Sequence, residues 1–232
     1  MFPLRDENPS SRTPVVSRAL IAVCVATYLY ERALGPGLAP FLREWGMVPA
    51  RLVLSTAGDG SFPAQAATVF TSMFLHADWL HLLGNMWYLW IFGDNVEDRL
   101  GHSRFLAFYL AAGVFAALVH AVAMASSTVP TVGASGAIAG VLGAYALLFP
   151  RARVLTVVPI LVVVQVVAVP ALVLLGLWFV FQFVSGALVN THATGGVAWW
   201  AHVAGFAFGI AVTALGWRSR PTDGLEREPR SP

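Results

Sequence analysis

The sequence contains no lysine and little charge of any kind. Of its 232 residues only 11% are charged, its 14 basic residues are all arginine, and 57% are hydrophobic. An ordinary soluble domain carries roughly 25% charged residues, because a water-facing surface needs them. The shortage of charge excludes a well-solvated globule and makes the bilayer the simpler solvent. Net charge is only +2, and the arginines are scattered at segment ends, which argues against a nucleic-acid face. Cysteine is nearly absent as well. Cys24 alone, inside an apolar run, can form no intramolecular disulfide and no Cys-x-x-Cys metal motif. Acidic residues are missing over the longest stretch: none occurs between Asp98 and Asp223.

What is present is a series of apolar runs. Residues 1–14 are polar and proline-rich and read as a short, poorly ordered cytoplasmic tail. The first apolar run covers about 15–34. No clean small-residue cleavage site follows it, and Glu31 and Arg32 sit where a helix would leave the membrane, so a spanning helix is expected rather than a signal peptide. In 35–72, Gly35-Pro36-Gly37 breaks the helix, and Phe41, Leu42, Trp45 and Met47 alternate with Arg43 and Glu44. That pattern predicts a long loop with short amphipathic pieces at the interface. Five further apolar stretches lie at 78–96, 105–125, 133–149, 170–189 and 197–217. A spanning helix takes about 20 residues, so the stretch at 133–149 is short and its opening is expected below the membrane surface. The β-branched run 154–169, VLTVVPILVVVQVVAV, reads as an interfacial or partly buried connector, with a seventh span as the alternative.

The expected fold is therefore an all-α polytopic membrane protein with six transmembrane helices, its membrane domain over 15–217 and a second cytoplasmic tail at 218–232. Arg5, Arg12 and Arg18, Arg99 and Arg104, Arg151 and Arg153, and Arg218 and Arg220 all fall on one side of such a bundle, which predicts that both termini are cytoplasmic. Loops 126–132 and 190–196 carry no arginine, while Arg43 and Arg51 are exceptions on the outer side.

Polar residues within spans are costly and therefore functional candidates. His81 and Asn85, four apart, share a helical face. Ser135 opens the fourth span, in GASGAIAG, and His202 lies one to two turns into the sixth, in WWAHVAGFAFG. Both enter from the outer side at comparable depth, so they can meet. Each also has a plain structural explanation. Gly136 with Gly140, Ala139 with Gly143, and Gly205 with Gly209 are small-residue pairs that allow close helix packing. His81 with Asn85 could form an interhelical hydrogen bond. A metal site of His76, His81 and His202 is disfavoured, because His76 and His81 are five apart and no H-E-x-x-H motif exists.

Four patterns occur in order: HADWLHLLGN at 76–85, GDNVEDRLG at 93–101, GASGAIAG at 133–140 and AHVAG at 201–205. Together they resemble the rhomboid intramembrane serine proteases of bacterial type, over residues 67–217. The resemblance implies Ser135 as nucleophile and His202 as its general base. It implies His81 and Asn85 as oxyanion donors with the backbone N–H of Ser135, and Gly133 in the loop that shapes the oxyanion site. Glu97 and Arg99 match a structural motif on the cytoplasmic side, and loop 190–196 would cap the site. The implied activity is a serine endopeptidase acting on peptide bonds in or near transmembrane segments. Its partners would be membrane-protein substrates and the lipid bilayer, with no nucleic acid, no metal and no cofactor. The implied setting is a bacterial plasma membrane.

Physical chemistry agrees with these roles. Serine needs a base to take its proton, and the tetrahedral intermediate needs preorganised donors. A substrate helix must unwind locally before a carbonyl can be attacked, which favours small residues and helix breakers near its outer end. The absence of acids between Asp98 and Asp223 predicts a two-residue dyad, with Asp78 serving only as a helix start. One position departs from the family pattern. Rhomboids often carry an aromatic four residues after the serine, and here it is Ala139, leaving Trp199, Phe206 or Trp200 to support the histidine. The alternatives are a non-catalytic rhomboid-like scaffold that binds membrane helices, and a small transporter, which would be expected to show repeats or broken helices.

Overall fold

A computed structural model describes residues 1–55, 62–160, 163–188 and 197–216. Helices occupy all six apolar stretches: α1 (Val15–Ala33), α5 (Trp79–Leu100), α6 (His102–Ala123), α7 (Ser135–Leu148), α8 (Ala171–Leu188) and α9 (Trp199–Ala214). The mixed region holds short helices α2 (Leu38–Trp45), α3 (Pro49–Ser55) and α4 (Phe62–Thr71), the amphipathic pieces that its composition predicts. Among the described residues, α6 with 22 residues and α8 with 18 are long and apolar enough to cross a membrane, whereas α7 and α9 are shorter. Loop 190–196 and the tail at 218–232 lie outside the described residues.

The helices alternate in direction. Ser17 of α1 meets Glu97 at the far end of α5, while Tyr28 meets Trp79 at its start. Gly136 and Gly140 of α7 lie against Ala116 and Ala112 of α6, so that pair is also antiparallel. One end of the bundle therefore collects Arg99 and Arg104 with the chain's N-terminus, and the other collects the starts of α5, α7 and α9. The tight α5–α6 turn at the arginine end is made by Gly101, whose φ of 79° lies where side chains are strained.

The all-α expectation is corrected in one respect. A three-stranded antiparallel sheet in the order β1-β2-β3 closes the arginine end, from β1 (Phe2–Asp6), β2 (Arg153–Ile160) and β3 (Val163–Pro170). The run 154–169 is thus not a seventh span: the connector is a β-hairpin, as its β-branched residues favour. The N-terminal segment is not a poorly ordered tail: it supplies the third strand. Phe2 stacks on Trp87 of α5 with centroids 5.4 Å apart, and the Trp87 indole N–H donates to the Pro3 carbonyl at 2.7 Å. Asn8, Ser10 and Ser11 then donate side-chain hydrogen bonds to Asn95, Asp94 and Asp98. A polar segment that satisfies the buried Asn95 and the partly buried Asp94 has an energetic reason to stay ordered.

The contact between α7 and α9 sets the site. A Cβ on Gly143 would collide with the Phe206 carbonyl, one on Gly205 with the Gly136 carbonyl, and one on Gly209 with the Gly140 carbonyl. Glycine at these positions lets the two backbones touch. The register pairs Gly136 with Gly205 and Gly140 with Gly209, so α7 and α9 run parallel, the first turn of α7 lying beside the second turn of α9. The small-residue packing and the placement of Ser135 beside His202 therefore have the same cause.

Candidate active site

Ser135 is the first residue of α7, and His202 is the fourth of α9. His202 Nε2 and Ser135 Oγ are 2.7 Å apart. They face a cavity of about 840 Å³, which is also lined by His81, Asn85, Tyr88 and His120. α7 opens on Ala134, which provides no side-chain cap. The first N–H groups of a helix lack intrahelical acceptors, so the backbone donors at Ser135 stay available to a developing negative charge.

The segment before Ser135 is fixed from two sides. Met47 and Thr131 exchange backbone hydrogen bonds of 3.2 and 2.7 Å, and the Gly133 N–H donates to the Ser72 carbonyl at 2.8 Å. Gly133 holds φ at 127°, and a Cβ there would lie 2.6 Å from the His81 ring and 3.6 Å from Asn85 Nδ2. Only glycine lets this loop lie against both side chains. His81 and Asn85 thus meet the segment preceding Ser135, and all five residues singled out in the sequence border one region.

α5 positions its pair through Asp78, the N-cap, whose carboxylate accepts from the His81 N–H at 2.9 Å. His76 precedes the helix, so the spacing argument for separate faces does not apply to it. Its ring meets that of His81 edge-on at 5.2 Å. Burial pushes the His76 imidazole down to about 4, leaving it neutral near pH 7. The Asn85 side-chain amide nitrogen is buried and has no hydrogen-bond partner among the described residues.

Glu97 stands at the opposite end. It accepts from the N–H groups of Val16 and Ser17 at 2.8 and 2.7 Å and from the Ser17 hydroxyl at 2.7 Å, capping α1.

Two residues that sequence reasoning passed over also reach His202. Gln182 Oε1 lies 2.6 Å from His202 Nδ1. Trp178, one turn earlier on α8, lies against the imidazole with centroids 5.8 Å apart and planes at 32°. Of the three aromatics expected to compensate for Ala139, only Trp199 contacts the ring, edge-on at 6.2 Å. Phe206 instead supports Trp178 and Phe179, and Trp200 meets Phe183. Gln182 had a visible signal, as the lone amide in the helix ALVLLGLWFVFQFVSGAL. His120 in α6 stood out in the same way.

The rhomboid domain family model matches residues 63–219. The chain belongs to the rhomboid family. These are polytopic helical membrane proteins, generally serine proteases that act on transmembrane substrates. Among similar proteins, the mitochondrial Rhomboid protein 1 of Saccharomyces cerevisiae is 37% identical over 92 residues, 38% of this chain and 27% of that protein. The mitochondrial presenilin-associated rhomboid-like protein of Homo sapiens is 30% identical over 165 residues, 64% of this chain and 38% of that protein. The chloroplastic Rhomboid-like protein 11 of Arabidopsis thaliana is 42% identical over 80 residues, 34% of this chain and 28% of that protein. The matched regions thus span well under half of each relative. The names of these rhomboids are organellar, so they lend no support to the bacterial plasma membrane expected from the sequence.

Proposed function

We propose that this rhomboid is an active intramembrane serine endopeptidase, with Ser135 as nucleophile and His202 as general base. The observation that carries the reading is the 2.7 Å contact between Ser135 Oγ and His202 Nε2 inside a cavity large enough for an extended peptide and water. In this reading the Ser135 Oγ attacks the scissile carbonyl carbon while its proton passes to His202 Nε2. The carbonyl oxygen takes up the negative charge and is met by Asn85, His81 and the backbone N–H of Ser135, beside Gly133. The unpartnered Asn85 amide nitrogen supports a donor kept free for that oxygen. The proton on His202 then goes to the leaving amine as the C–N bond breaks, and water repeats the sequence on the acyl-enzyme.

The reading includes six spans with both termini cytoplasmic, supported by α1 starting and α9 finishing at the arginine end of the bundle. The 14 residues of α7 cover only about 21 Å at 1.5 Å per residue, against a hydrocarbon core of about 30 Å. Ser135 would then open below the outer surface, where a polar cavity can stay wet. A periplasm-type activity reporter fused to the C-terminus should be silent, and activity there would mean an odd number of spans.

The decisive experiment is fluorophosphonate labelling and cleavage of a transmembrane-helix substrate by purified protein, wild type against Ser135→Ala. Labelling and cleavage lost together in the variant are expected. A folded wild type that neither labels nor cleaves would favour the non-catalytic scaffold that binds membrane helices.

A further inference from the structure

Resting on the dyad reading and extending it, we propose that Gln182 is the positioning residue of the site, its side-chain carbonyl selecting the His202 tautomer that can accept the Ser135 proton.

The two ring nitrogens of His202 have different partners. Nε2 is 2.7 Å from Ser135 Oγ, and Nδ1 is 2.6 Å from Gln182 Oε1. A neutral imidazole has one N–H and one lone pair. An amide oxygen can only accept, so this contact places the proton on Nδ1 and leaves the Nε2 lone pair facing the serine hydroxyl. In the other tautomer two lone pairs would oppose each other at 2.6 Å in a buried site, and Nε2 would have no capacity to act as a base. The partner of one ring nitrogen thereby sets the chemistry of the other.

Helix geometry makes the contact a fixed one. Gln182 is only 6% exposed. α8 runs antiparallel to α9, with Trp178 against Phe206, Gln182 against His202 and Gly186 against Trp199. Trp178 and Gln182 are four apart and so share one helical face. One supports the ring from its side while the other holds its Nδ1 edge. No acid occurs between Asp98 and Asp223, so neither α7, α8 nor α9 offers a carboxylate for this position. The amide fixes the geometry without adding a charge. During attack the Ser135 proton moves to Nε2, the Nδ1–H stays on Gln182 Oε1, and the Nε2 proton is later delivered to the leaving amine. A neutral acceptor stabilises the imidazolium less than an aspartate does.

The test uses the full chain in detergent micelles with a transmembrane-helix substrate. Gln182→Leu and Gln182→Met should lower kcat about 10–100-fold, the cost typical of lost orienting partners, with KM changed less than about twofold, the pattern of an interaction made in the transition state. Gln182→Glu keeps an acceptor and adds negative charge, which favours the imidazolium. It should recover most of the rate, with the low-pH limb of the pH–rate profile moved to higher pH. The other titratable groups lining the cavity, Asp78, His81, Tyr88 and His120, are unchanged in these variants. Nitrogen-15 histidine spectra of the wild type should show neutral His202 protonated at Nδ1, and Gln182→Leu should lose that preference. An Nε2-protonated His202 in the wild type would overturn the proposal. So would wild-type kinetics and pH profile in Gln182→Leu and Gln182→Met with unchanged thermal midpoints. Absence of Ser135-dependent cleavage by the wild type would sink the protease reading instead, while the tautomer still reports on Gln182.

Discussion

At the arginine end of the bundle, Glu97 is 1% exposed and accepts three hydrogen bonds from α1, with His102 beside it at 2.6 Å. At the other end Asn85 is 8% exposed, and its amide nitrogen bonds nothing among the described residues. The neighbours follow the contrast except at Arg99, whose Nε is buried at the arginine end without a partner among the described residues. Asp6, Asn8, Ser10, Asp94 and Asn95 are joined in one network, and Ser11 pairs with Asp98 beside it. Near the cavity, both ring nitrogens of His76 and Nδ1 of His120 are also buried without partners among the described residues. A buried polar group left unpaired costs about 1–3 kcal/mol. A saturated network stabilises the fold, whereas donors left open store a cost that a bound charge can relieve. Substitutions at the two ends should accordingly fail in different ways.

The largest effect is expected at the open end. Removing one oxyanion donor typically costs 10²–10³ in kcat, roughly 2.7–4 kcal/mol. Asn85→Ala should lose activity on that scale while its thermal midpoint hardly moves, because its amide nitrogen bonds nothing among the described residues. His81→Ala should follow in direction. Steady-state cleavage with a parallel melting curve separates the two quantities. A variant that melts early yet keeps its rate would make Asn85 a structural residue like those at the other end.

Glu97→Ala should do the reverse. It strands the N–H groups of Val16 and Ser17 at the start of α1, where a carboxylate also complements the helix dipole. Hydrogen bonds to a charged group contribute about 1.5–3 kcal/mol each, so a loss of about 3 kcal/mol in stability is expected after partial relaxation. The folded fraction should keep kcat within about twofold. A fall in kcat of a hundredfold with stability intact would erase the contrast between the ends.

Much of the open end was legible in the sequence because its side chains are chemically unusual for their surroundings. A serine before a glycine-rich helix, a histidine in a final apolar run and a His–Asn pair on one face stand out where charge is scarce. The same reasoning could have reached Gln182, the lone amide of α8. It did not, because acids were sought as partners for His202 and an amide was overlooked. Trp178 was harder to find, since a tryptophan in an apolar helix resembles its neighbours and the α8–α9 register is a tertiary fact. The sheet was hidden for another reason. Its two hairpin strands are contiguous, but the third lies some 150 residues away, in a segment that reads as a polar tail until Asn8, Ser10 and Ser11 meet their acceptors.

The smallest effect, and the one that probes the saturated end most finely, is a pH dependence centred on Asp6. Its carboxylate accepts from the Tyr145 hydroxyl at 2.6 Å and from the Asn95 amide at 2.9 Å. Burial nevertheless dominates: it raises the carboxyl from 3.8 to about 6, with Tyr145 opposing the shift and Asp94 adding to it. The folded protein therefore holds this proton more tightly than the unfolded chain does. Asp6's contribution is fully present below about pH 4 and is lost as pH rises through about 6. The effect should be on the order of 1 kcal/mol after discounting for solvent screening. β1 should accordingly dock less firmly at pH 7.5 than at pH 4.5, although the hydrogen bonds that surround it persist. Asp6→Asn keeps an acceptor for Tyr145 and removes the titration. Hydrogen exchange of the Phe2, Leu4 and Arg5 amides, taken as the ratio of wild type to Asp6→Asn, cancels the intrinsic pH dependence of exchange. The ratio should rise between pH 4.5 and 7.5. A flat ratio would mean that Asp6 is ionised throughout, with Tyr145 and Asn95 outweighing the cost of its burial.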